Sequence, residues 1–371
     1  MYEGRIATGD LTVTAIHGFP SEIDALAARN LSGHAFLRAA WFQAGAQQNA
    51  GRTLLIQRGN GVSRAVIAAI PTTAFGPAMM RARKVSGSYW PFRSALIAPD
   101  CNAHELAQGL KHTAARSLGP VWRLGPVPVE DPATTLLINA ARLAGWTVLG
   151  REAGTSWLID LDAARAEGWP RPSTAKRLDR AERRLAKLGQ VQWRHVRGAS
   201  WNDRVLEQLG AVEADSWIAD ETDGSGAKFM TPEQRGQWRR ALADPVLAEM
   251  LCATILTIDD RPVAFSFDLD DGPVQYGIAG SYVSRLARHD IGKLANYRAM
   301  TDAIADGQKM MDMGAGDSGY KRAMGAYPGY RMSDLLFVRS RTAARLLSGI
   351  WGRKIGLEDR FSVSQAAHFH D

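Results

Sequence analysis

A tyrosine and a lysine follow a glycine-rich turn and could carry out acid–base chemistry. The turn, Gly314–Arg322, comes directly after a predicted strand at Lys309–Met313. A phenol can act as a general acid, and an ammonium group can stabilise an anion or a developing oxyanion. We therefore predict catalytic roles for Tyr320 and Lys321, with Asp317 orienting either group or accepting a proton. In the alternative, Asp317 caps a short helix and Tyr320 packs under the sheet.

A second feature is a glycine-containing loop between a predicted strand, Gln275–Gly280, and a predicted helix, Gly292–Ala305. Backbone N–H groups at a helix start attract phosphate groups, and the helix dipole adds to this attraction. A glycine lets the backbone approach such a ligand closely. The residues expected to bind phosphate are Arg288, Ile291, Gly292, Lys293 and Leu294.

An acidic residue and a tryptophan lie one turn apart in a predicted helix, Asn202–Ala219, so we expect them to share a face. Glu213 is a candidate general base and Trp217 a candidate substrate contact. The following loop, Asp223–Phe229, contains glycines and is a candidate lid. A core tryptophan beside a surface glutamate is the structural alternative.

A basic helix is predicted at residues 172–188, where proline suits the start and Gly189 the end. Its leucines and alanine form one stripe and its cations mostly another. The basic stripe is either a solvated surface or a contact for phosphate groups of a substrate. Arg180 and Arg184 are the candidate substrate-binding residues in the second case.

The elements around these motifs predict an α/β protein with an internal repeat. Two predicted hairpins, Arg52–Ile70 and Ala253–Leu269, have similar sequences, and each follows two predicted helices. Chance similarity between alternating strands is the alternative. We predict an N-terminal unit at residues 1–160, a C-terminal unit at residues 161–340, and a basic helix and tail at residues 341–371.

Composition limits the class of protein. The 371 residues are too many for one ordinary core, and 46% are apolar, which is typical of a globular protein. No long apolar run and no secretory signal is apparent, and the two cysteines lack metal or redox spacing, so we expect a cytoplasmic location and no metal. His368 and His370 in the tail are the weak metal candidates. The net charge of +7 favours an anionic partner.

These motifs, over residues 170–340, resemble the GNAT-type N-acyltransferases, in the branch that includes the CelD proteins of cellulose synthesis, the BioF2-like acyltransferases and the Fem aminoacyl transferases. The family usually has Ala-Arg-Tyr-Ser-Pro-Gly where this chain has Ala287–Gly292, and its glycine-rich turn before Tyr-Lys matches closely. Asp290 replaces the serine, and its carboxylate would repel a pyrophosphate. Either Asp290 points away or the donor is held differently.

The resemblance implies two side-by-side GNAT-like units, as in FemAB-type acyltransferases, and transfer of an acetyl or longer acyl group from acyl-coenzyme A to an amine. It implies an amino sugar of an extracellular polysaccharide precursor as acceptor, as in a holdfast- or exopolysaccharide-modifying member. Tyr320 would then protonate the departing thiolate, and Glu213 would deprotonate the amine.

Two other functions remain open. One is a Fem-like transferase that uses aminoacyl-tRNA and acts on a cell-wall precursor. The other is a degenerate acyltransferase fold that serves as a cyclic di-GMP sensor or scaffold. The closing basic helix, predicted at Arg341–Arg353, either caps the core, contacts a membrane surface peripherally or binds an anionic regulator.

Overall fold

The computed structural model describes residues 11–46, 51–59, 64–87, 94–221, 224, 226–316 and 319–354. These residues form a mixed α/β fold in which helices cover a large sheet. The strands in this part of the chain are β1 (Leu11–His17), β2 (Arg52–Arg58), β3 (Ala65–Ala74), β4 (Arg83–Val85), β5 (Leu96–Ile97), β6 (Val121–Pro128), β7 (Thr147–Asp160), β8 (Val191–Arg197), β9 (Leu251–Ile258), β10 (Arg261–Asp271), β11 (Val274–Tyr282), β12 (Met310–Ala315), β13 (Tyr327–Val338) and β14 (Arg353–Lys354).

Most of the helices connect these strands. They are α1 (Glu22–Ala27), α2 (Ala39–Ala44), α3 (Ala103–Lys111), α4 (Pro132–Leu143), α5 (Leu161–Ala166), α6 (Pro172–Leu185), α7 (Asp203–Ala214), α8 (Trp217–Glu221), α9 (Pro232–Leu242), α10 (Pro245–Met250), α11 (Ile291–Ala305), α12 (Tyr320–Ala323) and α13 (Arg341–Ser348). Every described helix is too short or too polar to cross a bilayer.

A single sheet joins both halves of the chain. Its order is β1-β2-β3-β4-β6-β13-β7-β12-β11-β10-β9-β8, with β5 paired to β3 and β14 to β7. Most neighbours are antiparallel, but β4 pairs in parallel with β6, and β11 pairs in parallel with β12. A parallel pair needs a crossover connection, which α3 and α11 supply.

The order of elements repeats, as the two similar hairpins predict. In the first half, β1 is followed by helices, the antiparallel strands β2, β3 and β4, a helix and the parallel strand β6. In the second half, β8 is followed by helices, the antiparallel strands β9, β10 and β11, a helix and the parallel strand β12. The fold is therefore a tandem of one mixed α/β unit.

The two units share strands. β13, from the second half, lies between β6 and β7 of the first half. β7 pairs with β13 along its length and with β12 near its C-terminal end. The predicted boundary at residue 160 coincides with the end of β7, but the sheet continues across it.

Several predicted elements have different bounds. The strands predicted at Trp146–Leu149 and Thr155–Leu161 are one continuous strand, β7, because it must reach both of its partners. The helix predicted at Asn202–Ala219 is interrupted between Ala214 and Trp217, where Ser216 forms a bridge to Val283. The basic helix ends at Leu185 and the closing helix at Ser348, each earlier than predicted.

The main hydrophobic core also runs through both units. Phe36, Trp41 and Trp122 from the first unit belong to the same buried cluster as Phe229 and Phe265 from the second. A smaller cluster packs α11 against β7 and β12 and contains Trp157, Tyr297 and Met311. Because α11 is buried against these strands, its N-terminus is held in a fixed position beside β11.

Candidate active site

The parallel strands β11 and β12 separate soon after they start. Their pairing covers only Val274–Tyr276 opposite Met310–Asp312. β11 also has an irregularity at this point, because Asp268 on β10 faces Gly277 while Phe267 faces Ala279. Such a bulge bends the strand. The two strands therefore diverge, and one edge of β11 is left without a strand partner.

The gap between the strands forms a cavity of about 680 Å³, enough for a substantial part of a cofactor-sized ligand. Its walls come from β10, β11, the start of α11, β12 and α12. Apolar side chains such as Ala279, Ala299 and Met313 line one part, and Asp268, Asp312 and Lys321 line another. The cavity can thus hold an extended, mainly apolar chain beside ionisable groups.

The N-terminus of α11 borders this cavity. By helix geometry, the N–H groups of Ile291, Gly292 and Lys293 have no acceptor within the helix. Gly292 is required here for steric reasons, because a Cβ atom would lie 2.6 Å from the ring of Tyr282. A basic group and three free backbone donors make this end of the cavity suitable for an anion.

Asp290 precedes this helix in the left-handed conformation, with φ of 59°, and its side chain makes no capping hydrogen bond. Instead, its carboxylate forms ion pairs with Arg184 at 3.0 Å and with Lys293 at 3.3 Å. Burial alone would raise the pKa of Asp290, but Lys293 and Arg184 outweigh this effect, and the pKa is lowered. The carboxylate is therefore charged and partly neutralised by the basic helix α6.

Asp268 is a buried carboxylate in the cavity wall. It is 3% exposed, and it accepts a hydrogen bond from the Ser266 hydroxyl at 2.7 Å. Burial raises the pKa of Asp268 to about 7, with a smaller contribution from the charge of Asp302. A carboxylate of this pKa can accept a proton near neutral pH.

A second buried carboxylate accepts hydrogen bonds from several elements on the far side of the cavity. Asp312 accepts hydrogen bonds from the hydroxyls of Ser156 and Tyr330 and from the backbone N–H of Gly314 at 2.8 Å. Burial raises the pKa of Asp312 despite these donors.

Lys321 is 5% exposed, and its ammonium donates to the carbonyls of Gly314 and Ala315, both at 2.9 Å. Lys321 therefore fixes the glycine-rich turn.

Tyr320 and Trp217 lie at the mouth of the cavity. Their exposed fractions are 39% and 43%, which leaves both accessible to a ligand. Burial of the hydroxyl and the nearby charge of Asp268 raise the pKa of Tyr320. The phenol stays protonated at neutral pH and can donate a proton.

Part of the chain is similar in sequence to a known protein family. Residues 172–322 match the acetyltransferase (GNAT) domain family. The matched region contains β8–β12 and α6–α11, and so contains both sides of the cavity. No curated protein sequence matches the chain.

Solved structures extend the similarity over the whole fold. FemX has a TM-score of 0.56 and 10% identity, over 90% of this chain and 99% of FemX. A tandem GNAT protein from the clavulanic acid biosynthesis pathway has a TM-score of 0.50 and 13% identity, over 89% and 99% of the two chains. L-PGS from Bacillus licheniformis has a TM-score of 0.50 and 14% identity, over 91% and 98%. These likenesses support the tandem GNAT-like fold.

Five of the predicted site residues line the cavity of the GNAT domain. They are Trp217, Gly292, Lys293, Tyr320 and Lys321. Arg184 reaches the cavity rim only through its ion pair with Asp290. The remaining described candidates lie outside the cavity lining: Arg180 and Arg288 are exposed, and Ile291 and Leu294 are buried in the core. Asp317 lies outside the described residues, as do His368 and His370.

Glu213 has a different environment from the one predicted. It is fully buried, and its carboxylate accepts the backbone N–H groups of Lys228 and Phe229 at 2.6–3.0 Å. Burial raises the pKa of Glu213. The predicted shared face with Trp217 is wrong, because the helix breaks between them and Trp217 is exposed. The geometry makes Glu213 the anchor of the loop before α9.

The sequence did not predict Asp268 and Asp312 as site residues, because each lies inside a predicted apolar strand. A signal was present in β10, where Ser266, Asp268 and Asp270 alternate with the apolar Phe265, Phe267 and Leu269. Alternation places these polar residues on one face of the strand. Both polar and apolar faces are buried. An acidic face buried in a central strand indicates a functional cavity, because a charge is seldom buried without a partner or a role.

Proposed function

We propose that this protein is an acyltransferase that moves an acyl group from acyl-coenzyme A to a primary amine. The observation that carries the proposal is the separation of β11 and β12 beside the N-terminus of α11, with a carboxylate of raised pKa in the same cavity. The GNAT match of residues 172–322 supports the reaction class.

The cavity fits the parts of acyl-coenzyme A. The free N–H groups at Gly292 and Lys293 and the ammonium of Lys293 suit a pyrophosphate. The unpaired edge of β11 can receive the amides of an extended pantetheine chain, and at Gly280 an added Cβ would have no neighbour closer than 3.7 Å. The donor supplies a thioester, whose acyl carbon is open to attack by an amine.

The residues of the cavity can carry the two proton movements of the reaction. Asp268, ionised above pH 7, accepts a proton from the attacking amine as the new C–N bond forms. Tyr320, protonated at the cavity mouth, gives a proton to the sulfur as the C–S bond breaks. No covalent enzyme intermediate is required.

We further propose an amino sugar of an extracellular polysaccharide precursor as the acceptor, from the resemblance to the CelD-like proteins. The exposed Trp217 at the cavity mouth can stack on a sugar ring, and the basic helix α6 suits a nucleotide- or lipid-linked phosphate.

The test is release of free thiol from acetyl-coenzyme A in the presence of a panel of amino sugars, their nucleotide-linked forms and simple amines. Acceptor-dependent release supports acyl transfer, and preference for an amino sugar supports the acceptor class. Release with none of these amines, while tRNA binds with a steep dependence on salt, would favour the aminoacyl-tRNA alternative.

A further inference from the structure

A second pocket, of about 280 Å³, lies in the N-terminal unit, between the end of β3, the start of β4 and the short helical turn before β6. We call it the arginine pocket, because four arginines line it: Arg52, Arg81, Arg83 and Arg116. The described residues of its lining include no carboxylate. Phe75, Pro77 and Ala78 form an apolar wall.

The internal repeat does not account for this pocket. In the second unit the candidate active site lies beyond the paired starts of the parallel strands β11 and β12. The arginine pocket lies at the opposite end of the equivalent pair, where β4 and β6 begin. It is therefore not a remnant of a second acyl-coenzyme A site.

The backbone that brings the arginines together has an unfavourable conformation at Arg81 and a close contact at Gly119. Arg81 takes the left-handed conformation, with φ of 48°. Gly119 lies against it so closely that a Cβ atom would be 2.2 Å from the Arg81 carbonyl oxygen. The Arg83 guanidinium is held by Thr72, which accepts at 2.8 Å through its hydroxyl and at 2.9 Å through its carbonyl.

The pocket concentrates positive charge, and neighbouring arginines affect one another's pKa values. Burial and the neighbouring charge of Arg52 lower the pKa of Arg83 to about 10. Burial and the charge of Arg116 likewise lower the pKa of Arg339, which donates to the carbonyl of Ala115. In the described part of the chain, no carboxylate forms an ion pair with Arg52, Arg81 or Arg116.

A hydroxyl in the wall also lacks a partner. Ser117 Oγ is buried and makes no hydrogen bond within the described residues, although Ser117 lines the pocket. A buried hydroxyl without a partner is unfavourable. The hydroxyl could reach a phosphate oxygen only after the Ser117 side chain rotates toward the pocket, whereas the guanidinium groups can bind phosphate oxygens in a bidentate manner.

We propose that the arginine pocket binds a small organic phosphate with at least two negative charges. The guanidinium groups would hold the phosphate, and the wall at Phe75–Ala78 would contact the organic part. The volume is at the small end of ligand pockets, which suits a mononucleotide or sugar phosphate more than a polymer.

The test is calorimetric titration of the full chain with inorganic pyrophosphate and with ADP. The variant R52E/R116E reverses the charge at two exposed arginines of the pocket. The control R204E/K309E makes the same change of charge at exposed residues elsewhere. Lys293→Glu replaces a cation by a carboxylate at the start of α11 and so weakens binding of these ligands at the candidate pyrophosphate site of the acyl-coenzyme A cavity. The milder Arg116→Gln is used if the double variant unfolds.

We expect one ligand per chain and a loss of affinity of at least about tenfold in R52E/R116E. The control and Lys293→Glu should bind as the wild type does, and ADP should bind more tightly than pyrophosphate. Absence of binding to the wild type, or equal weakening in the control, would overturn the proposal. Loss of pyrophosphate and ADP binding in Lys293→Glu would place both ligands in the acyl-coenzyme A cavity and also overturn it. Acetyl-coenzyme A turnover in R52E/R116E reports separately on the acyltransferase proposal.

Discussion

Asp268 and Gly277 face each other across the β10–β11 pair, and a Cβ atom at Gly277 would lie 3.7 Å from Asp268 Oδ1. The bulge in β11 starts at this pair, and the separation of β11 from β12 starts one residue earlier, at Tyr276. The buried carboxylate therefore lies where the cavity opens, which makes it the candidate base.

Asp268→Asn should reduce kcat by about 10²- to 10⁴-fold, the usual contribution of a general base. The KM for acetyl-coenzyme A should change little. In the wild type, kcat/KM should rise with pH through about 7, because the reactive form is the carboxylate. Steady-state kinetics between pH 5 and 9 would measure both effects. A variant that keeps this rise would show that another group is the base.

The same substitution should change the pH dependence of stability. An unfolded aspartate has a pKa of about 3.9, whereas burial raises the folded pKa of Asp268 to about 7. The folded wild type thus loses stability as the pH rises from about 4 to about 7. The gain in Tm from Asp268→Asn should grow over this window and stay constant above it. A gain independent of pH would contradict the buried, titrating carboxylate.

Tyr320→Phe should lower kcat by about tenfold or more, because the departing sulfur loses its proton donor. Binding of acetyl-coenzyme A should be kept, since only a hydroxyl is removed. Tyr327→Phe is the matched control: its ring is 43% exposed, and among the described residues its hydroxyl donates only to Met310 Sδ, at 3.8 Å. Equal kcat values for the two variants would remove Tyr320 from the mechanism.

Glu213→Gln should destabilise the fold by about 1–3 kcal/mol, because an amide cannot accept the backbone N–H groups of Lys228 and Phe229 with both of its polar atoms. Urea unfolding measures this loss. The rise of kcat/KM near pH 7 should persist. If that rise disappears while stability is unchanged, Glu213 is the base, as the sequence indicates.

Asp290→Asn should strengthen binding of acetyl-coenzyme A several-fold, because it removes a negative charge beside the start of α11 and leaves Arg184 and Lys293 available to a phosphate. Loss of exposed ion pairs should cost less than about 1 kcal/mol of stability. Asp203→Asn breaks a comparable exposed pair with Arg239 and serves as the control. Weaker binding in Asp290→Asn alone would mean that the carboxylate positions the two cations.

Much of the fold could be predicted from local pattern. The hairpins, the helix after β11 and the strand β12 were predicted because apolar periodicity and turn residues are local signals. β8 was missed because Arg194 and His195 interrupt its alternation. The insertion of β13 between β6 and β7 depends on contacts between residues about 170–217 positions apart in the chain, which no local pattern specifies.

Part of the candidate site could also be predicted, because some of its residues belong to local sequence motifs. Tyr320, Lys321 and Gly292 belong to short motifs, and the structure places all three at the cavity. The role of Glu213 depends on where a later loop packs, and the role of Asp268 on the pKa that burial gives it. Both are tertiary effects that spacing along the chain does not show.

The most direct measurement is calorimetric titration of acetyl-coenzyme A into the wild type, Gly280→Leu and Gly236→Leu. Gly280 lines the cavity, with room for a Cβ atom, so a leucine should fill the space along β11. Gly236 lies on α9 outside the cavity and also has room for a Cβ atom. Binding to the wild type and Gly236→Leu, with loss in Gly280→Leu, is the predicted result. Absence of binding to the wild type, or unchanged binding to Gly280→Leu, would contradict the assignment of the cavity between β11 and β12 as the acyl-coenzyme A site.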